Sequence, residues 1–203
     1  LDGGSFITVT SPRTYTGLAD GPHTFRVRAV DSAGNVDSSP ASYTWTVDTV
    51  PPTVDLSTPA ASPVPNALFT VTAQFSEAVT GFIATDVTVV NAALSNFTAV
   101  DADTYTFDLT PNGPGLVVTV DVTSNKANDA AGNGNTAATQ LSRTIIDAVS
   151  ITATTATAVE GGATGLYTFS RTNTTAALVV DFQVDASSTA SAADYSLSGA
   201  SVS

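Results

Sequence analysis

Apolar and polar residues alternate along several short stretches of the chain, and turn-forming residues separate these stretches. In the first of them Phe25, Val27 and Ala29 share one face of a predicted strand, while Arg26 and Arg28 lie on the other. The same alternation recurs at residues 43–47, 69–75, 105–109, 116–122 and 178–184. Alternation at a period of two, with turns about every ten residues and no 3.6-residue stripe, predicts an all-β chain of antiparallel β-sandwiches.

A turn sequence occurs twice with a fixed step. Asp31–Asn35 and Asp129–Asn133 share the pattern Asp-x-Ala-Gly-Asn and lie 98 residues apart. Asp48 and Asp147 each follow a predicted strand and lie 99 residues apart. A constant step indicates repeated modules, and this step is the length of one immunoglobulin-like sandwich of about 100 residues.

Two prolines separate the first module from the second. Pro51 and Pro52 cannot donate the backbone hydrogen bonds of a ladder, so residues 48–53 are predicted to form a short, stiff linker. The turn-rich stretches 57–67 and 125–138 are predicted to be loops.

The second module resembles the bacterial immunoglobulin-like repeats of large surface and secreted proteins. The matching stretches are Phe75–Phe82, Asp86–Val89 and Asp129–Asn135. This resemblance implies one complete sandwich over residues 49–147.

The two ends of the chain each resemble only half of a module. Residues 1–48 are similar to the C-terminal half of a related immunoglobulin-like repeat, through Leu1–Phe6, Tyr15–His23 and Val30–Asn35. Residues 148–203 are similar to the N-terminal half of a Calx-β sandwich. The stretches that carry this second resemblance are Ala158–Gly162, Thr168–Thr172 and Ala192–Tyr195.

Half a sandwich exposes an unpaired strand edge and a bare apolar face, and it buries too little surface to be stable alone. We therefore expect both ends to be completed from outside these 203 residues. One possibility is a longer polypeptide that supplies the missing halves. The other is head-to-tail self-association, in which one copy completes the next by strand complementation and builds a filament.

Composition narrows the possible partners. The net charge is −12, with only six Lys and Arg residues. This balance argues against nucleic acid, whose phosphates need a basic face, and against anionic membrane surfaces. No apolar run approaches the roughly 20 residues of a membrane helix, so no membrane insertion is expected. Low Lys and Arg with abundant Asp, Ser and Thr is typical of an extracellular or cell-surface protein. The absence of Met predicts that residue 1 is not a translation start.

The inventory of catalytic groups is poor. His23 is the only histidine, and its neighbours place it at a turn. The chain has no cysteine, no Gly-x-Ser-x-Gly elbow and no Gly-rich phosphate loop. Asp121 and Asp181 are predicted to be outward polar positions on strands. We expect no enzymatic activity.

Calcium is the one ligand that the resemblances imply. Glu160 and Asp194 match acidic positions that bind calcium at one end of Calx-β modules, although the further acidic residues of that site belong to the missing half. Asp48 and Asp147, at the module junctions, are weaker candidates for a linker ion. For Asp48, simple strand termination is the preferred interpretation, and for Asp31 and Asp129 it is turn chemistry.

Two triplets, at Asn96 and Asn173, fit the acceptor pattern for N-glycosylation. The function predicted is a non-catalytic stalk, spacer or filament subunit of a bacterial surface protein or fibre. The alternative is an adhesin or a carbohydrate-directed accessory module, which would need an exposed aromatic platform. Trp45, Phe69, Phe107 and Phe182 all lie on faces that suit a core, and this favours the structural interpretation.

Overall fold

The computed structural model describes residues 1–147, 149–155 and 166–171. Apart from one 3-10 turn at Ala84–Asp86, every regular element in these ranges is a β-strand, which confirms the predicted all-β class. No helix in the described ranges has the length and apolar character needed to cross a membrane. The strands are β1 (Gly21–Val27), β2 (Ala41–Val47), β3 (Val54–Ser57), β4 (Val64–Pro65), β5 (Phe69–Phe75), β6 (Val87–Val90), β7 (Ala92–Ala99), β8 (Thr104–Pro111), β9 (Val117–Val122), β10 (Leu141–Ile146), β11 (Val149–Thr155) and β12 (Leu166–Arg171).

Strands β3 to β10 form two four-stranded sheets. One has the order β3-β5-β8-β7 and the other the order β4-β10-β9-β6. All neighbours pair antiparallel except β4 and β10, which run parallel. The β4 strand lies in a stretch that the sequence predicted as loop, and this prediction was wrong. Its proline is tolerated because β4 is an edge strand, where one face of the backbone needs no partner.

The core lies between these two sheets. The apolar positions of β5 and β8 point inward, and the side chains of Phe107 and Leu109 are fully buried. Each such residue contributes about 1.5–3 kcal/mol to stability by leaving water. The polar positions between them are exposed or half-buried, so the predicted alternation is confirmed here. The remaining core positions are Val54, Leu56, Val64, Phe69, Val71, Ala73, Phe75, Val79, Phe82, Val87, Tyr105, Val118, Val120, Val122, Ala127, Leu141 and Ile145.

Aromatic rings fill the end of the core nearest the linker. Phe75, Phe82 and Tyr105 contact one another nearly edge to face, with centroid distances of 5.0–5.9 Å. Phe97 packs against the outer side of this group, 5.6 Å from Phe82. Edge-to-face pairs add specificity beyond the burial of area.

Strands β1 and β2 form a separate two-stranded antiparallel sheet. His23 lies opposite Trp45 and Phe25 opposite Tyr43, so these four side chains share one face. Within residues 1–47, all of which the structure describes, no second sheet covers that face. Tyr43 is 70% exposed and Trp45 is only half-buried. The expectation that Trp45 lies in a core is therefore wrong for this structure, whereas Phe69 and Phe107 are buried as predicted. Phe182 lies outside the described residues.

Strands β11 and β12 form a fourth sheet, two-stranded and antiparallel, that begins two residues after Asp147. Val149 and Ile151, which alternate on one face of β11, are 44% and 60% exposed.

Candidate functional site

The repeated turn adopts the same hydrogen-bonded structure in both places. In the first copy, the Asp31 carboxylate accepts bonds from the backbone N–H groups of Ala33 (2.9 Å) and Asn35 (2.8 Å). It also accepts a bond from the side-chain amide of Asn35 at 2.7 Å. These bonds to the charged form, led by that of the Asn35 side chain, lower the pKa of Asp31. The turn chemistry predicted for this motif is confirmed.

The second copy repeats these contacts 98 residues later. The Asp129 carboxylate accepts bonds from the N–H groups of Ala131 (2.9 Å) and Asn133 (2.8 Å) and from the Asn133 side chain (2.8 Å). Asp129 is 95% buried, and burial alone would raise its pKa. The hydrogen bonds, chiefly those from Asn133, outweigh burial and lower the pKa instead. Asp129 is therefore held as a carboxylate in a largely enclosed position.

Only the second copy also contacts the linker. The side chain of Asn133 donates a hydrogen bond to the backbone carbonyl of Asp48 at 3.1 Å. Thr136 donates its N–H to the carbonyl of Pro52 at 2.9 Å, and the Pro52 side chain is fully buried. From the other side, the Asp20 carboxylate accepts bonds from the backbone N–H and hydroxyl of Thr49, both at 2.9 Å. The linker is thus bonded to the segment before it and to the sandwich after it.

Three carboxylates meet at this junction. Asp48, Glu77 and Asp129 each offer an oxygen, and these oxygens lie within 4.8 Å of one another. Asp48 and Glu77 are half-buried, whereas Asp129 is buried. The ion pairs in the described residues are His23 with Asp2 and Lys126 with Asp86, so no cation pairs with this acidic triad there. Three like charges at this spacing repel one another.

The acidic triad has the chemistry of a hard-cation site. Calcium takes six to eight oxygen ligands from carboxylates, carbonyls and water, at 2.3–2.6 Å. Three carboxylates supply up to six oxygens, but both oxygens of Asp129 already accept hydrogen bonds. A cation held here would therefore keep part of its water shell. Sequence reasoning considered Asp48 and Asp129 separately and missed Glu77, because the β3–β5 pairing that brings Glu77 to the linker is not a local signal.

The other acidic residues singled out from the sequence lie elsewhere. Glu160 and Asp194 are outside the described residues, so the Calx-β calcium site stays a prediction. Asp147 is not part of the acidic triad, and its buried Oδ1 has no hydrogen-bond partner in the described part of the chain. Asp121 accepts bonds from Gln140 at 2.8 and 3.0 Å on the outer face, as expected of an outward position. Asp181 is outside the described residues.

Of the two asparagines predicted to accept N-glycosylation, Asn96 lies within the described residues. Asn96 is exposed at a register shift in β7, with a left-handed backbone (φ 52°), and its side chain donates to Asp108 at 2.9 Å. Asn173 lies outside the described residues.

His23 is bonded at both ring nitrogens. Nδ1 lies 2.8 Å from a carboxylate oxygen of Asp2, and Nε2 lies 2.7 Å from the carbonyl oxygen of Ala19. Two acceptors favour the doubly protonated ring, so the Ala19 and Asp2 bonds raise the pKa of His23. A ring committed in this way has no free nitrogen with which to act as a general base.

The open face of β1 and β2 forms one wall of an apolar groove of about 1010 Å³. Residues 9–18 form the other wall. Within the β1–β2 wall, Tyr43 and Trp45 stack on each other, with ring centroids 6.3 Å apart and planes 21° apart. At the edge of the groove, Cζ of Arg13 lies over the ring of Tyr15, 5.4 Å from the ring centroid.

Comparison with known families gives a match for part of the chain. Residues 48–145 match the model of a family described as the bacterial Ig-like domain. The predicted resemblance to bacterial immunoglobulin-like domains is confirmed over that range, which ends within β10. The Calx-β resemblance of residues 148–203 and the repeat arrangement stay predictions. No curated protein matches the chain.

Proposed function

Taking the bacterial Ig-like module at residues 48–145 as the premise, we propose that the chain is a non-catalytic structural unit of a bacterial surface protein or extracellular fibre. Its role is that of a stalk, spacer or filament subunit. The incomplete end modules are completed by a neighbouring copy or by further chain.

The observation that carries this proposal is the bonded linker. Flexible joints between modules are the default, and they rest on few contacts. Here, the linker is bonded to Asp20 on one side and to Asn133 and Thr136 on the other, and Pro52 is inserted into the sandwich. A joint of this kind keeps successive modules in a fixed direction, which is what a spacer requires.

The described side chains support a non-catalytic role. Domains of this family are typically non-catalytic, and the single histidine is bonded at both nitrogens. A net charge of −12 keeps such a surface soluble and repels anionic partners.

Two experiments test the proposal. In the first, antibodies against residues 49–147 are applied to intact cells of the producing bacterium, and labelling that is lost on mild surface proteolysis is expected. In the second, nitrogen-15 relaxation on the purified chain compares the tumbling of residues 21–47 with that of residues 54–146. Equal correlation times support a spacer, whereas independent tumbling or purely internal labelling contradicts it.

The acidic triad favours a second proposal, which is that calcium binds among Asp48, Glu77 and Asp129, where the linker meets the sandwich. The support is the convergence of three carboxylates without a cationic partner in the described residues. A cation there would offset their mutual repulsion and stiffen the joint. Isothermal titration of the calcium-free chain with calcium chloride tests this, with Glu77→Gln as the comparison, and absence of a heat difference between the two contradicts it.

A further inference from the structure

The open face of β1 and β2 occupies the place of a core face in the complete module. Tyr43 lies eight residues after Asn35, and Leu141 lies eight residues after Asn133, so the repeated turn aligns β2 with β10. Tyr43 pairs with Phe25, and Leu141 pairs with Val120. The alignment therefore extends to β1 and β9.

The burial of the aligned positions differs sharply. In β9, Val118, Val120 and Val122 are each 1% exposed, because the β3-β5-β8-β7 sheet covers them. In β1, Val27 at the position of Val122 is 51% exposed, whereas His23 and Phe25 at the positions of Val118 and Val120 are half-buried. In β2, Tyr43 is 70% exposed, whereas the aligned Leu141 is 8% exposed. An exposed apolar face of this kind marks an interaction site. In the complete module, the sheet that contains the first strands, β3 and β5, covers the corresponding face of β9. The partner that fits the open face of β1 and β2 is therefore a sheet built from the first strands of a sandwich.

The chain carries a second sheet of this kind. Strands β11 and β12 pair antiparallel, as β3 and β5 do. They follow Asp147 along the chain as β3 and β5 follow Asp48. Val149 and Ile151 on β11 are exposed apolar residues without a covering layer in the described part of the chain. The two open sheets correspond to the two halves of one sandwich.

We propose that the β11–β12 sheet of one copy covers the apolar face of β1 and β2 of a second copy. This inference rests on the proposed function and names its partner, which is the chain itself. Contact through two different surfaces is heterologous and does not close, so copies add in one direction. Burial of Tyr43, Trp45 and Ile151 at the contact supplies the driving force.

Complementary variants of the full chain test the contact. Tyr43→Glu spoils the first face and Ile151→Glu spoils the second, and both positions are exposed, so neither change disturbs the fold of the free chain. Light scattering across about a hundredfold concentration range is expected to show multiples of 20.4 kDa for the unaltered chain. Each variant alone is expected to stay near 20.4 kDa, with association weakened by about 100-fold or more.

Mixing the two variants gives the decisive result. Each retains the surface that the other has lost, so an equimolar mixture is expected to form a heterodimer of twice 20.4 kDa and nothing larger. Matched controls are Thr46→Glu and Thr152→Glu, which add the same charge on the opposite face of each sheet. These controls are expected to associate like the unaltered chain.

Three outcomes would overturn the inference. A chain that stays monomeric over the whole concentration range means that no second copy covers the face. A dimer that survives Ile151→Glu means that two β1–β2 faces pack on each other. Binding of an oligosaccharide array by the monomer, lost in Tyr43→Glu, assigns the face to carbohydrate. None of these results decides whether residues 21–47 and 54–146 have equal correlation times or whether intact cells are labelled. Failure of this inference is therefore distinguishable from failure of the spacer role.

Discussion

Asn133 donates a side-chain hydrogen bond to the backbone carbonyl of Asp48, 85 residues earlier in the chain, at 3.1 Å. The same side chain donates to the Asp129 carboxylate at 2.8 Å. A residue whose sequence context indicates only a turn thus also fixes the point where the linker meets the sandwich. Asn35, its counterpart in the first copy, bonds Asp31.

The linker bond can be isolated by comparing the two asparagines. Asn133→Ala removes the bonds to Asp129 and Asp48, whereas Asn35→Ala removes only the equivalent turn bond. Urea unfolding of the sandwich is expected to show a loss of more than about 0.5–1.5 kcal/mol in Asn133→Ala, because this range is the contribution of one hydrogen bond and the change removes two. Nitrogen-15 relaxation is expected to show that residues 21–47 and 54–146 tumble together in Asn35→Ala but independently in Asn133→Ala. Equal behaviour of the two variants would contradict the role given to this bond.

Asn135 is expected to be the most sensitive polar residue of the sandwich. It is 1% exposed, and its side chain accepts bonds from the N–H groups of Lys126 and Ala127 and donates to the carbonyls of Thr123 and Thr136. Asn135→Ala leaves buried backbone groups without partners, which costs about 2–4 kcal/mol. Thermal unfolding measures the loss.

The control for this change is Gln140→Ala, which removes exposed bonds to Asp121 and should shift stability by no more than about 0.5 kcal/mol. A loss at Asn135 as small as that at Gln140 would show that water replaces the missing bonds.

The His23–Asp2 pair gives the first segment a pH dependence. The pKa of His23 is raised above its ordinary value of 6.5, so its stabilising contribution is full below pH 6.5 and disappears as pH rises through the raised pKa. The pKa of Asp2 is lowered from 3.8 by the His23 side chain and the Thr24 N–H, so its contribution is full above pH 3.8 and disappears as pH falls through the lowered pKa. The pair is therefore most favourable between these ordinary values.

Proton NMR measures this directly, because His23 is the only imidazole in the chain. The pKa in the folded chain is expected to lie above 6.5 and to fall in Asp2→Asn, which keeps the shape of the side chain but removes its charge. Ser5→Asn is a suitable control, because it adds the same group nearby without touching the pair. An unchanged pKa in Asp2→Asn would mean that the Ala19 carbonyl alone determines it.

The acidic triad makes opposite predictions with and without calcium. In a calcium-free buffer of low salt, Glu77→Gln is expected to raise the unfolding midpoint of the sandwich by about 2–4 °C, because it relieves repulsion among three carboxylates. With calcium at about 10 mM, the unaltered chain is expected to gain about 3–10 °C and Glu77→Gln less. Magnesium at the same concentration controls for screening. An equal rise in the unfolding midpoint with calcium and with magnesium would mean that ionic strength, not a specific calcium site, causes the effect.

The local alternation of apolar and polar residues was sufficient to predict the strands that have one buried and one solvated face. Alternation in residues 69–75 and 117–122 predicts β5 and β9, because one face of each is buried and the other is solvated. The turn at Asp129 was also predictable, since its bonds span only four residues.

Features that depend on pairing over long distances were not predictable. The β4 strand consists of Val64 and Pro65 and exists only because β10 pairs with it in parallel. Glu77 joins the acidic triad because β5 returns to the linker, and no spacing rule relates residues 48, 77 and 129. Trp45 has the alternation of a core residue, but burial depends on a covering sheet that its own strand does not specify.

The parallel β4–β10 pair has a consequence for a chain that is pulled from both ends. Residues 60–66 are fastened along β10 by bonds from Arg143 to Ala60 (2.9 Å), from Thr144 to Ser62 (3.4 Å) and from Asn66 to Ile146 (2.9 Å). Because β4 and β10 run in the same direction, tension between Asp48 and Asp147 draws them past each other rather than peeling them apart. These bonds then share the load in shear and must yield together, which gives the module a high rupture force for a small number of contacts.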